Sequence, residues 1–304
     1  SVAMNFSGPV TIVTGDAKAT PAVLVGAAAS PRAVGEGIVG TVGFLEKSLR
    51  FDEDYDGRRD HGYDPGFLDG WRVPLPGLGA KLAAKALQRA GKPWVLKYHH
   101  FSLVMHRPRR LLIWAASNVD YSPAARRFTK TRKAYGGESR RRDPRGALAA
   151  PGPPIEDGNL YDPATKIDRG HIVRREDCCW GATAKEAEFG NSDTYHWTNC
   201  TPQSEAFNQA GQKGVWGQFE EHIQREAKAI GGRVSVMSGP VLNARDPEHG
   251  YEGEESIRVP MEFWKIVLCV SDDGDGPVRR AYGFIFDQSE PVARLGFERM
   301  DFSD

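Results

Sequence analysis

The chain has 304 residues, 40% of them hydrophobic, and its 40 Lys and Arg residues are balanced by 40 Asp and Glu residues. This length and composition are enough for one large domain or two small ones, with a substantial core. Zero net charge excludes a strong overall field that would draw the whole molecule to nucleic acid or to a membrane surface.

The first half of the chain predicts one helix and one hairpin. Residues 80–91 have the composition of a helix that stops at Gly91. Two β-rich runs, residues 100–105 and 111–116, are joined by a short turn that contains Arg and Pro. This pattern predicts a β-hairpin.

The next segment, residues 117–167, is polar and rich in Pro and Gly, which predicts loops. Between Arg107 and Arg145 there are twelve Lys and Arg residues against three Asp and Glu residues, in clusters at 107–110, 126–133 and 140–145. A solvated basic surface is the simpler interpretation. A wall that binds phosphate groups is the functional one, since Arg presents planar donors suited to phosphate oxygens.

The second half predicts a helical region followed by strands. An amphipathic helix is indicated by apolar residues at three- and four-residue spacings, namely Val215, Trp216, Phe219, Ile223, Ala227 and Ile230. Strands are predicted at residues 233–239, 262–270 and 281–288. Strands on both sides of one helical region favour an α+β domain around a mostly antiparallel sheet. We place that domain at residues 61–304, after an N-terminal extension of unknown role at residues 1–60.

Two groups of polar residues are candidates for chemistry. Asp168, Arg169, Gly170 and His171 are consecutive and are predicted to form a loop, and Asn199, Asn208 and Glu220 follow further along the chain. Singly, an asparagine is more often a turn or cap residue and a helix glutamate a solvated charge. Together they offer oxygen ligands for a hard cation such as Mg²⁺ and a base for water.

These residues carry a resemblance to a known family. The sequences DRGH (168–171), TNCTPQ with FNQ (198–209) and WGQFE (216–220) resemble the DNA/RNA non-specific endonucleases, which are ββα-metal nucleases and include endonuclease G. Further stretches from about residue 60 to residue 290 resemble the same family in the same order. The resemblance implies a ββα-metal core with a mostly antiparallel sheet flanked by helices.

The resemblance also implies a role for each candidate residue. His171 would be the general base, and Asn208 would be the direct protein ligand of Mg²⁺, with Mn²⁺ or another divalent cation as the alternative. Glu220 would hold a metal-bound water, and Asn199 would support the geometry. Asp168 would brace the motif and Arg169 would support it or approach phosphate, and the family's phosphate-binding arginine would be Arg140 or Arg141.

The chain departs from the family at one spacing, because Asn208 and Glu220 are twelve positions apart and their counterparts in the family are closer. On a continuous helix the extra residues would carry the glutamate along the axis by roughly 1.5 Å each. Gly211 and Gly214 suggest instead that residues 209–214 loop out and that the helix restarts near Val215.

The sequence therefore predicts a metal-dependent endonuclease acting on DNA and RNA. The alternatives are a catalytically silent nucleic-acid-binding module, or a zinc-assisted hydrolase that uses His171, His196 and the cysteines at 178, 179 and 200. Such a nuclease would need restraint inside its own cell, for which a homo-oligomer, a regulatory partner or a regulatory domain would serve, for example in phage defence.

The location of the protein is predicted from its cysteines and its first residues. Adjacent Cys178 and Cys179 cannot comfortably pair with each other, so we expect reduced thiols and a cytoplasmic protein. No basic stretch precedes an apolar run at the start, and the apolar residues 22–29 are too few to span a bilayer, so we expect no membrane association. Because the first residue is Ser1, a fragment of a longer protein is the alternative.

Overall fold

The computed structural model describes residues 55, 61–135, 140–145, 160–161, 165–249, 257–272 and 274–293. Its strands are β1 (Gln88–Arg89), β2 (Lys92–Pro93), β3 (Leu96–Tyr98), β4 (Phe101–His106), β5 (Leu111–Asp120), β6 (Ile167–His171), β7 (Cys200–Ser204), β8 (Arg233–Val241), β9 (Glu248–His249), β10 (Ile257–Arg258), β11 (Glu262–Asp272) and β12 (Pro277–Asp287). Its helices are α1 (Ala80–Lys85), α2 (Arg132–Tyr135), α3 (Arg175–Cys178), α4 (Ala184–Asp193), α5 (Glu205–Asn208), α6 (Val215–Ala229) and α7 (Ser289–Ala293).

A six-stranded antiparallel sheet forms the centre of the fold, in the order β12-β11-β8-β5-β4-β3. The predicted hairpin is confirmed as β4 and β5, and the three predicted later strands are confirmed as β8, β11 and β12. The prediction of an α+β fold with a mostly antiparallel sheet is therefore confirmed.

The sheet is covered on both faces because its central strands carry apolar side chains on both sides. On one face, α6 packs through Trp216, Phe219 and Ile223 against Phe263 and its neighbours on the sheet. The other face is covered by the segment before β1, which contributes a separate set of buried residues: Tyr63, Phe67, Leu68 and Val73. We call the first the helical face.

Strands β6 and β7 form a small separate sheet, and α5 follows β7 directly. We call β6, β7 and α5 the ββα unit. The predicted loop at Asp168–His171 is wrong in this respect, since these residues lie in β6 and pair with β7 in antiparallel register. Between the two strands the chain forms α3 and α4, so the predicted helical region is interrupted by a strand.

The predicted break between Asn208 and Glu220 is confirmed. Helix α5 ends at Asn208, a short 3-10 turn spans Ala210–Gln212, and α6 begins at Val215. Lys213, at the end of the turn, has a left-handed backbone with φ of 63°. The chain therefore changes direction between the two helices and does not carry Glu220 along the axis of α5.

The predicted helix at residues 80–91 is wrong in its second half. Helix α1 ends at Lys85, and the following residues form a two-stranded hairpin of β1 and β2. The chain turns at Ala90 and Gly91, both of which have positive φ.

Tyr55 is fully buried among Tyr98, His99 and Arg145, although it precedes the predicted domain boundary at residue 61. That boundary remains a prediction, and residues 1–54 of the predicted extension lie outside the described residues. Much of the predicted polar segment 117–167 also lies outside them, and in the described part β5 continues to Asp120 and α2 is helical. Within the described ranges, no helix is both long and apolar enough to cross a bilayer.

Candidate active site

His171 is the last residue of β6, opposite Cys200 of β7. The preceding Gly170 is opposite Thr201, and a methyl group at Gly170 would overlap the side chain of Gln203, whose Cδ would be 2.5 Å away. Glycine in this motif therefore allows the buried Gln203 side chain to lie across β6. The close fit fixes the strand from which His171 projects.

The imidazole of His171 has an aromatic and a cationic neighbour. Its ring lies edge-on to Tyr195, with ring centroids 5.4 Å apart. Arg140 Nη2 lies 2.9 Å from His171 Nδ1 and also donates to the carbonyl of Arg169, and Arg140 Nη1 donates to the carbonyl of Thr194 at 3.1 Å. A guanidinium can only donate, so Nδ1 of His171 is the acceptor in this contact.

Asn199 is fully buried and binds the backbone just after His171. Its Oδ1 accepts from the Val173 N–H at 2.9 Å, and its Nδ2 donates to the carbonyls of Val173 at 2.9 Å and Thr194 at 3.0 Å. These hydrogen bonds use both ends of the amide. Asn199 therefore acts on the position of the chain beside His171 and does not reach the cleft described below.

Asp168 connects the two ends of the ββα unit. Its Oδ2 accepts from Asn208 Nδ2 at 2.8 Å and from Gln209 Nε2 at 2.9 Å. Because the amide nitrogen of Asn208 is engaged by Asp168, the amide oxygen Oδ1 is the atom of Asn208 left to meet a cation. This contact gives Asp168 a specific bracing function in the geometry.

Glu220 lies on α6 and points into the helical face, and because it is buried it is not the solvated helix charge of the simpler interpretation. Its Oε1 accepts from Lys265 Nζ at 2.9 Å, and its Oε2 is 3.9 Å from Arg174 Nε. Burial raises the pKa of the Glu220 carboxyl, and the positive charges of Lys265 and Arg174 act against that rise. Glu220 is thus part of a mostly buried charge network under the cleft.

The two arginines predicted to bind phosphate are placed differently. Arg140 lies against His171, whereas Arg141 Nη2 donates to the Ser192 carbonyl at 2.7 Å and to its hydroxyl at 2.5 Å, at the end of α4. Other members of the basic segment also have protein partners, such as Arg109 with Asp246 at 2.6 Å. The basic residues of this segment therefore connect several elements of the fold. Of these three arginines, Arg140 is the one that lies against His171.

Asp168, His171, Asn208, Gln209 and Glu220 open into one cleft of about 830 Å³. Its lining includes two tyrosines, one histidine, arginines, amides and carboxylates: Tyr161, Asp168, Arg169, His171, Arg174, Glu176, Tyr195, Glu205, Asn208, Gln209, Glu220 and Glu221. Arg169 lies at this lining with its guanidinium over the rings of Tyr161 and Trp197, at 5.6 and 5.8 Å. The cleft therefore contains a histidine together with amide and carboxylate oxygens. It also contains arginine side chains, which suit an anionic ligand.

A sequence profile of the DNA/RNA non-specific endonucleases matches residues 78–303 of the chain. The chain belongs to the DNA/RNA non-specific endonuclease family. The members of this family are metal-dependent nucleases, and the ββα unit with its neighbouring antiparallel sheet is the ββα-metal arrangement predicted from the sequence.

Two individual proteins are similar to this endonuclease-family chain. The uncharacterized protein y4fB of Sinorhizobium fredii (strain NBRC 101917 / NGR234) is 32% identical over 260 residues, which cover 81% of the chain and 35% of that protein. The chain therefore spans about a third of the length of this curated relative. The crystal structure of the EndoG/EndoGI complex is similar with 16% identity and a TM-score of 0.45, covering 74% of the chain and 92% of the matched chain.

The donors in the cleft fit a hard divalent cation. The oxygens come from the Asn208 amide and from carboxylates such as Glu205 and Glu220. Over the part of the chain that the structure describes, no three His, Cys, Asp or Glu side chains group closely enough to hold a metal. A single amide ligand suits Mg²⁺, which keeps several waters and needs few protein ligands.

The thiols do not offer the ligands that the zinc alternative requires. Cys178, Cys179 and Cys200 are buried, and burial raises the pKa of each thiol, that of Cys179 to about 12. Among the described residues, these cysteines do not belong to any group of three His, Cys, Asp or Glu side chains that could hold a metal. All four cysteines are thiols and form no disulfide, as predicted.

Sequence reasoning missed Lys265, Arg174 and Glu176. Lys265 could have been noticed, because it is a single charge within the apolar run of β11, FWKIVLCV (263–270). Arg174 and Glu176 closely follow the DRGH motif, but charges after a strand are common and give no signal of their own. Their position in the cleft depends on how α3 packs.

Proposed function

We propose that the chain is a Mg²⁺-dependent endonuclease that hydrolyses phosphodiester bonds within DNA and RNA with little sequence preference. The observation that supports this most is that His171, at the end of β6, and Asn208, at the end of α5, line the same cleft. A module that only binds nucleic acid needs neither of these side chains in contact with the substrate.

His171 is the general base in this proposal. Its imidazole takes, at Nδ1, a proton from the water that attacks phosphorus, once the incoming phosphate has drawn the Arg140 guanidinium away from that nitrogen. The new P–O bond forms, the bond from phosphorus to the 3′ oxygen breaks, and the leaving oxygen takes a proton from solvent. Arg140 lies against His171 Nδ1 at 2.9 Å, so an incoming phosphate group has a guanidinium beside the base. Arg140 and Arg169 bind the phosphate in this scheme, and Arg141, which holds the end of α4, contributes less.

Asn208 is the direct protein ligand of the divalent cation, Mg²⁺ or alternatively Mn²⁺. Asp168 holds the amide nitrogen of Asn208, so the amide oxygen keeps one orientation. Glu220 holds a water of the cation, and Asn199 keeps the backbone beside His171 in place. When bound, the cation supplies positive charge to the phosphate and to the leaving oxygen.

Substrate choice follows from where these groups act. Every contact in the proposal is to phosphate or to water, and phosphate contacts position a nucleic acid without reading its bases. We therefore expect both DNA and RNA to be cut at many sequences.

The test is cleavage of a plasmid in the presence of Mg²⁺, with and without EDTA. The His171→Ala variant should lose roughly 10²–10⁴-fold in rate while retaining its fold and its affinity for DNA, because only the base is removed. Asn208→Ala should lose the Mg²⁺-dependent cleavage. His222→Ala is the matched control, since His222 is a histidine of α6 that lies outside the lining of the cleft.

Each alternative predicts a different result in the same assay. A silent binding module would bind DNA and leave the plasmid intact at every metal concentration. If the protein were a zinc-assisted hydrolase, Zn²⁺ added after chelation would restore plasmid cleavage, and Asn208→Ala would cleave like the wild type. Either result would overturn the proposal.

We further propose that a cytoplasmic nuclease of this kind is restrained by self-assembly, by a partner or by a neighbouring domain, as would suit an effector of phage defence. The relative that is longer than this chain motivates a neighbouring domain. Three comparisons of the cleavage rate per molecule test this restraint: low against high protein concentration for self-assembly, with against without cell lysate for a partner, and with against without the flanking sequence for a neighbouring domain. Equal rates in all three would contradict the restraint.

A further inference from the structure

Lys265 is a lysine within the buried part of the central sheet. Its side chain is 1% exposed, and it lies on β11 between Trp264 and Ile266. Side chains alternate along a strand, and Phe263 and Val267 belong to the core of the helical face. Lys265 therefore points the same way as these two, toward α6.

Two side chains of α6 receive the lysine. Its Nζ lies 2.9 Å from Glu220 Oε1 and 4.0 Å from the ring centroid of Trp216. Trp216 and Glu220 are four residues apart and thus occupy the same face of the helix. Lys265 therefore contacts the turn of α6 that carries Glu220. Among the described residues of α6, Glu220 is the charged side chain with which it pairs.

Stability alone is a weak reason for this pair. A buried ion pair costs much of its attraction in lost hydration, and apolar side chains of similar volume often serve stability equally well. Besides Glu220, the neighbours of Lys265 include the ring of Trp216 and, on the two adjacent strands, Ser238 and Phe284. The position of the pair beside the cleft, which Glu220 lines, favours a role in orienting the Glu220 carboxylate.

The two oxygens of Glu220 have different neighbours. Oε1 faces Lys265 in the core, and Oε2 is 3.9 Å from Nε of Arg174, which lines the cleft with Glu220. We propose that Lys265 is a positioning residue, which holds Glu220 by Oε1 so that Oε2 faces the cleft and receives a water of the divalent cation. This inference rests on the proposed function and assigns Lys265 a part in it.

The experiment compares Glu220→Gln, Lys265→Met and the double variant with the wild type. Binding of Mn²⁺ is measured by titration calorimetry without nucleic acid, and kcat and KM are measured with plasmid DNA. Lys81→Met is the matched control, because Lys81 is an exposed lysine on α1, which packs with the opposite face of the sheet.

Lys265→Met should weaken Mn²⁺ binding roughly 10–100-fold, as expected for a residue that orients a partner of the metal. It should lower kcat and leave KM for DNA within roughly twofold, because a change confined to the reacting state does not alter ground-state binding. The double variant should match Glu220→Gln in both measurements, since Lys265 acts only through Glu220.

The outcomes separate this inference from the proposed function. Wild-type Mn²⁺ binding by Lys265→Met, or a double variant well below Glu220→Gln, would overturn the role of Lys265. If Lys265→Met does not fold, the role of Lys265 is still tested by comparing Glu220→Gln with the double variant. The double variant has no unpaired buried charge, because neither side chain is charged. A wild-type protein that binds Mn²⁺ but does not cleave would contradict the proposed function, and one that binds no Mn²⁺ would overturn both.

Discussion

Arg140 and Arg141 are adjacent and identical in type, yet the fold gives them different surroundings. Arg140 reaches Nδ1 of His171, and Arg141 binds the carbonyl and hydroxyl of Ser192 at the end of α4. Successive side chains of an extended segment point in opposite directions. Arg140 is therefore directed to His171, where it also donates to the carbonyls of Arg169 and Thr194, and Arg141 is directed to the scaffold alone.

This difference predicts opposite phenotypes for the two arginines. Arg140→Gln should lower the slope of log K against log salt for DNA binding by roughly 0.9, the value for one lost phosphate contact. Arg141→Gln should leave that slope unchanged and lower the free energy of unfolding by about 1.5–3 kcal/mol, the cost of losing charged hydrogen bonds. Filter binding at several salt concentrations and urea unfolding measure both. Equal slopes for Arg140→Gln and the wild type would contradict a phosphate contact.

At the scale of single residues, the sequence was informative where a motif names the residue. His171 and Asn208 were predicted from the pattern, and both line the cleft. The contact from Asp168 to Asn208 joins residues 40 positions apart, and the one from Lys265 to Glu220 joins residues 45 positions apart. Such pairs are set by tertiary packing, and no local pattern identifies the partner.

At the scale of elements, the junction of α5 and α6 determines where Asn208 lies. Gly217, in the first turn of α6, has no room for a side chain, because a Cβ would lie 2.5 Å from the Asn208 carbonyl and 2.6 Å from the Ala210 N–H. The backbone of α6 is thus in direct contact with the end of α5. Any displacement of α6 moves the residue proposed to bind the metal.

Gly217→Ala should therefore destabilise the fold by about 1–3 kcal/mol, the usual cost of overpacking, although alanine favours a helix. It should also weaken Mn²⁺ binding, because α5 must shift. Gly211→Ala is the matched control, since a Cβ at Gly211 meets no atom within 4 Å. Thermal unfolding and calorimetry measure the two effects, and a Gly217→Ala protein as stable as Gly211→Ala would contradict the close contact.

Element prediction succeeded where pattern and tertiary pairing agree, as in β8, β11 and β12. It failed at residues 86–89, which have helical composition but pair with the sheet. The Leu87 N–H donates to the Met105 carbonyl at 2.8 Å, and this pairing with β4 replaces the helix. It failed in the same way at β6, whose polar residues and glycine are typical of a loop. These residues form a strand because they pair with β7.

At the scale of the whole molecule, the fold keeps some histidines uncharged in its interior. Burial, together with the neighbouring His99, lowers the pKa of His100 to about 3. The His100 ring stacks on Trp180 with centroids 3.6 Å apart, and its Nε2 faces the Trp180 carbonyl at 2.9 Å. The unfolded chain has no such environment and titrates near pH 6.5.

The unfolding free energy should therefore fall as the pH decreases from about 6.5 toward 4. The folded-state pKa of His100 is the lower one, so the unfolded state binds a proton that the folded state excludes, and the slope is roughly 1.4 kcal/mol per pH unit for this residue. His100→Asn should flatten the dependence, and Asn tolerates the positive φ of 67° at this position. Urea unfolding between pH 4 and 7 measures the slope. The same slope in His100→Asn and in the wild type would contradict the role of His100.

The overlap that a methyl group at Gly170 would make with Gln203 has an evolutionary consequence. The neighbouring side chain of Gln203 leaves no room for a Cβ at position 170. Alanine at position 170 alone should thus be deleterious, whereas a smaller residue at position 203 creates the space for it. Among related chains these two positions should therefore covary, and an alanine-containing variant of the motif should still belong to a working site.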